Sequence, residues 1–552
     1  MSALFAASSP YVWDYKTEPL TNMGKAFDKR IMRIVHGKSL GGSSSLNFMQ
    51  YVRGNSKDFD EWHELGNPGW SFEEVLPYFK MSERFHNASS NEKQGVKIDL
   101  DYHGEDGRLW VMPIEGISKM SEIHLSAFAE NGYKFGDYNG EMQNDETAFR
   151  AQVTQHFGLR ADSYTSYVLS DVMNRKGILK VITFATVTKL LFKDDKKVVV
   201  NGIELKRFGT KLQFMAKKEV ILSAGAIGSP KILMLSGLGP KGHLDDMKIP
   251  VIKDIPGIGE NLQDHLMAYY MHFSPNTGQG LSPNSFKLTN PFEVLKYYYT
   301  RSGPLGDNGI GVGLFYNTFT NEDRFKRPDI QLHTFPALPT NDYGLVLKEI
   351  FGYTEEAYRT VSMFEGYDGG VLMPTLLRPE SRGYVRLKSN NPEDNPIIQP
   401  NYFDNPKDMK KMIEALRIAN KHVTSNAFKD NNIELVIDKN CEQFVIVGEP
   451  LNDEYYKCVI QFWSSSVWHF VGTCKMGPSS DPMSVVDHML KVHGVMGLRV
   501  ADASIMPRIT GGNTNAPTIM IGEKAADLIN SEWKMFDENV KNEPSTVLKD
   551  EL

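Results

Sequence analysis

Lys211–Gly237 reads KLQFMAKKEVILSAGAIGSPKILMLSG, and its character changes once along its length. Residues 211–223 carry the apolar, aromatic and β-branched side chains of a β segment. After Glu219–Ser223 the chain turns through Ala224-Gly225-Ala226-Ile227-Gly228. A short helix is expected next, with Ser229 as N-cap, Pro230 at its first position and Gly237 as its stop. Strand, tight turn and helix in succession form a unit of α/β architecture. A second such unit lies near the C-terminal end, where Leu498–Asp502 (LRVAD) reads as a buried strand and Thr518–Asn530 as a helix with Pro517 in its opening turn.

Outward from the first unit, residues 181–192 (VITFATVTKLLF) and 198–205 (VVVNGIEL) read as further strands, with Lys193–Lys197 and Arg207–Thr210 as the joining turns. The middle of the chain, about 270–455, has a different texture. Gly- and Pro-rich loops at 274–284 and 302–313 alternate with short strands such as Asp329–Thr334 and Gly383–Leu387. This predicts a second, sheet-containing domain inserted between pieces of the first. No internal repeat or low-complexity block occurs. The fold class expected is therefore α/β, or α+β overall.

With 552 residues the chain can bury a full core in two or three structural units. Its 61 Lys+Arg against 68 Asp+Glu leave a formal charge of −7, which argues against a nucleic-acid binder. No run of about 18 apolar residues marks a membrane span. Three cysteines exclude a disulfide scaffold and a Cys-rich metal site; Cys441 and Cys458 could pair in an oxidising lumen, and Cys474 sits apart. The last four residues, Lys549-Asp550-Glu551-Leu552, match the KDEL address of the endoplasmic reticulum lumen, with its retention receptor as the expected partner. The N-terminus does not match that address, because Ala3–Ala7 is too short for a signal-peptide core and no Lys or Arg precedes Lys16. A single sequon, Asn87-Ala88-Ser89, fits a lumenal protein.

Gly37–Asn47 (GKSLGGSSSLN) packs glycines and hydroxyls beside a polar amide. Gly41 and Gly42 let the backbone approach a ligand, and the groups that follow can bind anionic or carbonyl oxygens. Tyr51, Gly54 and Asp60 follow, then Trp62 and Gly66-Asn67-Pro68-Gly69-Trp70. Further motifs are Gly225–Gly239, Pro256–His265 (PGIGENLQDH), Trp468–Gly477 (WHFVGTCKMG) and Val492–Lys524, which contains VHGVMGLRVADASIMP and GGNTNAPTIMIGEK. In this order, over roughly residues 12–530, the set resembles the glucose–methanol–choline (GMC) oxidoreductases, and most closely their insect glucose-dehydrogenase-like branch.

The resemblance implies a discontinuous FAD-binding Rossmann-like domain with an inserted antiparallel-sheet substrate domain. On this reading residues 1–270 hold FAD-binding parts and the start of the substrate domain, 271–455 mainly the substrate domain, 456–535 the return to the FAD domain, and 536–552 the tail. The family's active-site base falls on His469 and its partner on Asn513. A neutral imidazole is a suitable base for an alcohol proton, and an amide beside it can donate to the developing alkoxide. Gly41, Gly42, Asn47, Phe48 and Met49 would lie along the flavin, with the backbone of Val187 at adenine and Asp502 and Ala503 near the diphosphate. The helix start at Asn515–Thr518 would face the flavin pyrimidine, its positive end favouring reduced flavin. Leu46 stands where some members carry a histidine bonded to flavin, so FAD is expected to be non-covalent.

His156, His265, His488 and His493 are expected to be structural, and no metal site is expected. Residues 1–36 contain one glycine, Gly24, and lack the G-x-G-x-x-G turn with which the family begins. The N-terminal dinucleotide-binding unit is therefore expected to be incomplete. Gly237–Gly242 matches that spacing formally, but it follows a helix and includes Pro240, so it is rejected. The expected function is FAD-dependent oxidation of a CH–OH group of an alcohol, sugar or sterol, with a quinone or oxygen as acceptor. The alternatives are an inactive homologue unable to hold FAD, and a lyase that keeps flavin without redox turnover.

Overall fold

A computed structural model describes residues 9–86, 98–114, 117–174, 178–193, 196–276, 281, 291–303, 306, 309–323, 327–344 and 347–542. The sequon at Asn87 and the Lys549–Leu552 tail lie outside the described residues.

Residues 211–223 form two strands rather than one. Thr210–Met215 is the exposed edge of a three-stranded antiparallel sheet with Ala185–Phe192 and Val200–Arg207. Val220–Leu222 leaves that sheet after the lysines 217 and 218 and pairs in parallel with Leu498–Val500, Leu222 opposite Val500. The two strand–turn–helix units expected from sequence thus meet strand to strand.

The first helix spans Gly225–Leu235, five residues earlier than the Ser229 N-cap predicts. Pro230 inside it removes the N–H that would bond to the Ala226 carbonyl. The Thr473 hydroxyl donates to that carbonyl instead, at 2.5 Å, so the helix continues through the proline. Ser229 accepts from the Ala224 N–H (3.1 Å) and donates to the Asp502 carboxylate (2.5 Å), tying the helix start to the second unit. Gly237 ends the helix region as expected: its φ is +81°, and a Cβ there would come within 2.4 Å of the Pro250 carbonyl oxygen. The C-terminal helix runs Asn515–Asn542, longer than Thr518–Asn530 but with Pro517 in its first turn.

The largest sheet runs, in order, through Glu434–Leu435, Tyr270–Ser274, Asp368–Leu376, Ile330–Phe335, Val312–Tyr316, Thr147–Arg150 and Lys134–Phe135. Leu266–Ala268 joins Asp368–Leu376 to Ser464–Ser466. All pairings are antiparallel except the edge pair of Lys134–Phe135 with Thr147–Arg150. The helix Pro406–Val423 lies against Asp368–Leu376, burying Met412, Ala415, Leu416, Ala419 and Val423 at helical spacing. Asn405 caps this helix by accepting from Lys407 N–H, and Pro406 occupies its first turn. Leu372 and Leu376 face the helix layer, whereas the alternate residues Val371 and Met373 face a cavity on the other side.

Cys441 and Cys458 are joined, pinning the turn before Asp453–Trp463 to that helix across 17 residues. A loop of that size implies about 3 kcal/mol of stabilisation in the chain-entropy account. Cys458→Ser is expected to lower unfolding stability by about that amount, read from the shift in urea midpoint at constant slope. Cys474 is buried and free. Among the described residues no helix is long and apolar enough to cross a membrane.

Candidate active site

A cavity of about 1260 Å3 lies between the large sheet, the Val12–Lys16/Arg33–Gly37 hairpin and the parallel strand pair. Such a volume exceeds that of ordinary small-ligand pockets, about 300–1,000 Å3. At its sheet end stands His469. The preceding residue, Trp468, has a φ of +61°, a left-handed conformation that a bulky side chain adopts only when held there. Its N–H donates to the Ser466 hydroxyl (2.7 Å), and its ring stacks on Phe351.

Asp264 anchors this turn. Buried, it accepts from the His469 N–H (2.7 Å), the Ser466 hydroxyl (2.5 Å) and the Tyr402 hydroxyl (2.5 Å). Burial pushes its carboxyl up to about 6 despite these donors. Asp264→Ala strands all three in the interior, so the variant is expected to lose about 3–5 kcal/mol of stability by denaturant unfolding.

His265, expected to be merely structural, contacts His469 directly: the two Nδ1 atoms are 2.9 Å apart. The hydrogen-bond partners decide the tautomers. His265 Nε2 faces the Leu377 carbonyl oxygen at 3.2 Å, which can only accept, so Nε2 carries the proton. Burial, with the nearby Arg378 charge, pushes His265 down to about 3, which keeps it neutral and leaves its Nδ1 an acceptor. His469 therefore donates from Nδ1 and presents a lone pair at Nε2. Burial, followed by the neighbouring His265 and His333, holds His469 well below its ordinary value. Its Nε2 accepts from the Asn513 amide at 3.2 Å. The result is a neutral base whose Nε2 electron pair points into the cavity, where the Asn513 amide holds it until a substrate hydroxyl takes the amide's place.

Asn513 sits on a tight glycine turn. Gly511 N–H donates to Asp58 (2.6 Å), itself paired with Arg378 at 2.6 Å. At Gly512 a Cβ would collide with Val52 at 2.3 Å. The Asn513 carbonyl oxygen is buried and unpartnered among the described residues.

The other residues singled out from sequence line the same cavity. Gly41 (φ +87°) and Gly42 (φ +56°) lead into the Gly42–Ser45 turn, and nothing lies within 4 Å of a Cβ on Gly42. The Asn47 amide oxygen accepts from Met49 N–H (3.0 Å) and from Arg160 (2.8 Å). Phe48 and Met49 continue that wall, and Val187 contributes from the Ala185–Phe192 strand. Asp502 spends both oxygens internally, on Ser504 N–H (2.8 Å) and on Gly225 N–H (2.9 Å) and Ser229. Ala503 adjoins it, and Asn515 and Thr518 open the C-terminal helix onto the cavity. Leu46 lies on the wall and offers no nucleophile.

Arg160 was not legible as a site residue; its guanidinium also donates to the Ser44 carbonyl (3.0 Å) and holds the Gly42–Asn47 wall in shape. Among the other histidines, His156 stacks on Trp110 and His493 donates to the Gly477 carbonyl (3.0 Å). Trp70 donates to the backbone carbonyl of His488 at 2.9 Å. No group of three or more metal-ligating side chains occurs among the described residues.

The cavity walled by these glycines and ending at a neutral imidazole is large enough to hold a cofactor and a substrate together. Comparison with known proteins makes this particular: the chain belongs to the GMC oxidoreductase family, whose N-terminal model matches residues 7–267 and whose C-terminal model matches residues 379–522. It is similar to glucose dehydrogenase [FAD, quinone] of Drosophila pseudoobscura pseudoobscura, 35% identical over 504 residues covering 90% of this chain and 74% of that one. Alcohol dehydrogenase [acceptor] of Pseudomonas putida is 34% identical over 96% of this chain and 87% of its own. Formate oxidase of Aspergillus oryzae RIB40 superposes with a TM-score of 0.79 at 27% identity, covering 97% and 90% of the two chains. The N-terminal match begins at residue 7, so the expectation of an incomplete dinucleotide-binding unit gains no support from it.

FAD is the cofactor of this family, and the residues present fit it. An unpartnered buried amide oxygen at Asn513, the open face of Gly42 and the helix start at Asn515 all border one cavity.

Proposed function

We propose that this protein oxidises a CH–OH group of an alcohol, sugar or sterol, with His469 as the base and a quinone or oxygen as the final acceptor. The observation that carries the reading is the neutral His469 whose Nε2 lone pair meets the Asn513 amide inside the cavity. His469 Nε2 takes the hydroxyl proton, and the charge so formed is shared with His265 through the Nδ1 contact. Asn513 donates to the substrate oxygen as it becomes an alkoxide. When bound, FAD supplies the hydride acceptor. Gly41, Gly42, Asn47, Phe48 and Met49 would hold its ring system, Val187 its adenine, Asp502 and Ala503 its diphosphate, and Asn515 and Thr518 its pyrimidine edge. Leu46 supports non-covalent attachment. The Cys441–Cys458 disulfide supports an oxidising compartment.

One observation favours a second reading, a homologue that holds no FAD. Among the described residues the Val220–Leu222/Leu498–Val500 pair is a two-stranded sheet, and Gly225 N–H is already taken by Asp502. Cofactor content and turnover with an alcohol panel and a quinone acceptor separate the readings. The proposal expects one FAD per chain, released intact on acid precipitation, and alcohol-dependent quinone reduction; flavin-free, inactive protein that reconstitution with FAD does not rescue rejects it.

A further inference from the structure

The sheet that closes the cavity at His469 has a specific surface. Ile330–Phe335 and Asp368–Leu376 are antiparallel neighbours in which His333 lies opposite Met373 and Phe335 opposite Val371. Strand alternation puts these four side chains on the cavity face, joined there by Met267 and Tyr269. The wall is apolar except at two points. His333 is 2% exposed, and neither ring nitrogen has a partner among the described residues. The Tyr269 hydroxyl is likewise buried, beside Tyr353 and Ser465. Buried polar atoms left open cost about 1–3 kcal/mol each, so a group of this kind facing a cavity points to something that fills it. His333 and His469 line the same cavity.

What the wall lacks is equally informative. Among the described residues, the only carboxylate on the cavity is Asp502, whose oxygens are engaged. Among the described residues a cationic alcohol would find no carboxylate free to pair with it. A sugar would bring a hydroxyl on nearly every carbon to a face of Met, Val and Phe, leaving most unpaired.

Resting on the proposed alcohol oxidation at His469, we infer that the substrate is an uncharged alcohol with a mainly apolar body, and that His333 is a specificity residue bonding one further oxygen on it. The test uses the FAD-loaded protein and its His333→Phe and His333→Gln variants. The probes are 3-phenylpropan-1-ol, its ortho-, meta- and para-hydroxyphenyl counterparts, glucose and choline. The phenyl alcohols are expected to give the highest kcat/KM, with at least one hydroxyphenyl alcohol at a lower KM than the parent. His333→Phe should raise that KM about five- to tenfold, leave the parent's within about twofold and keep kcat; His333→Gln should restore part of the loss.

Calorimetric binding of the corresponding methyl ethers should show the same loss, and cofactor content identifies any variant that has not folded. Preference for glucose or choline overturns the substrate class while leaving alcohol oxidation intact. Equal shifts for all alcohols in His333→Phe overturn the role of His333. No oxidation of any probe by flavin-loaded wild type overturns both this inference and the reading beneath it.

Discussion

Replacing His469 by alanine is expected to lower kcat/KM for the alcohol by about 10²–10⁴-fold while FAD content stays at the wild-type level. The size follows from the role: removing the imidazole removes the one lone pair that the His265 contact orients toward the cavity. Asn513 remains, but an amide cannot take the proton. The cavity wall at Gly41–Met49 is untouched, so cofactor binding is not the step affected. A second signature accompanies the first. Burial keeps His469 neutral far below the ordinary range, so wild-type kcat/KM should not fall as pH drops through about 6.5. A loss with a midpoint near 6.5 in protein that is still folded would contradict the assignment.

The acid limit of the protein should be set by unfolding. Burial pushes His36, His333 and His422 down to about 4 and His265 and His272 to about 3. His124 and His469 lie well below their ordinary value for the same reason. A depressed imidazole means that, below about 6.5, the unfolded chain binds protons that the folded chain refuses, so stability falls as pH falls. At pH 5 each of the five held at about 3 or 4 costs about 2 kcal/mol, together of the order of 10 kcal/mol, and His124 and His469 act in the same direction. That matches the whole stability of a typical domain, about 5–15 kcal/mol.

Two groups oppose the trend. Asp264, raised to about 6 by burial, favours the folded state by about 1 kcal/mol at pH 5, because it is protonated there only when folded. His103 loses affinity for its proton to burial but regains more from Asp137 and Glu83, and its net rise also favours the folded state in acid. Neither offsets seven histidines. Thermal melts are expected to drop steeply between about pH 6.5 and 5; a melting temperature flat across that window would show that these histidines are not buried neutral.

The parts legible in the sequence were those encoded locally. The glycines at 41 and 42, the Asn513 turn and the strand–turn–helix unit each announce themselves within a few residues, because turns and close backbone approaches depend on local chemistry. The histidine pair was not legible in that way: His265 and His469 are 204 residues apart, and neither neighbourhood names the other. The helix start failed for a related reason. Pro230 marks a first turn by local rules, but the hydroxyl of Thr473, 247 residues from the Ala226 carbonyl it bonds, accommodates the proline inside the helix. His333 was hidden differently. Its alternation with Leu332 and Thr334 looks like any half-buried strand, and only the sheet's position shows that its polar face meets a cavity rather than water.

The central claim is that His469 and a bound FAD act together on an alcohol. It is tested most directly by adding a neutral aromatic alcohol to the flavin-loaded protein without oxygen and following the absorption band of oxidised flavin. The band should bleach with wild type and persist with His469→Ala. Persistence in wild type with every aromatic, aliphatic, sugar and choline-type alcohol, or equal bleaching in the variant, would contradict it.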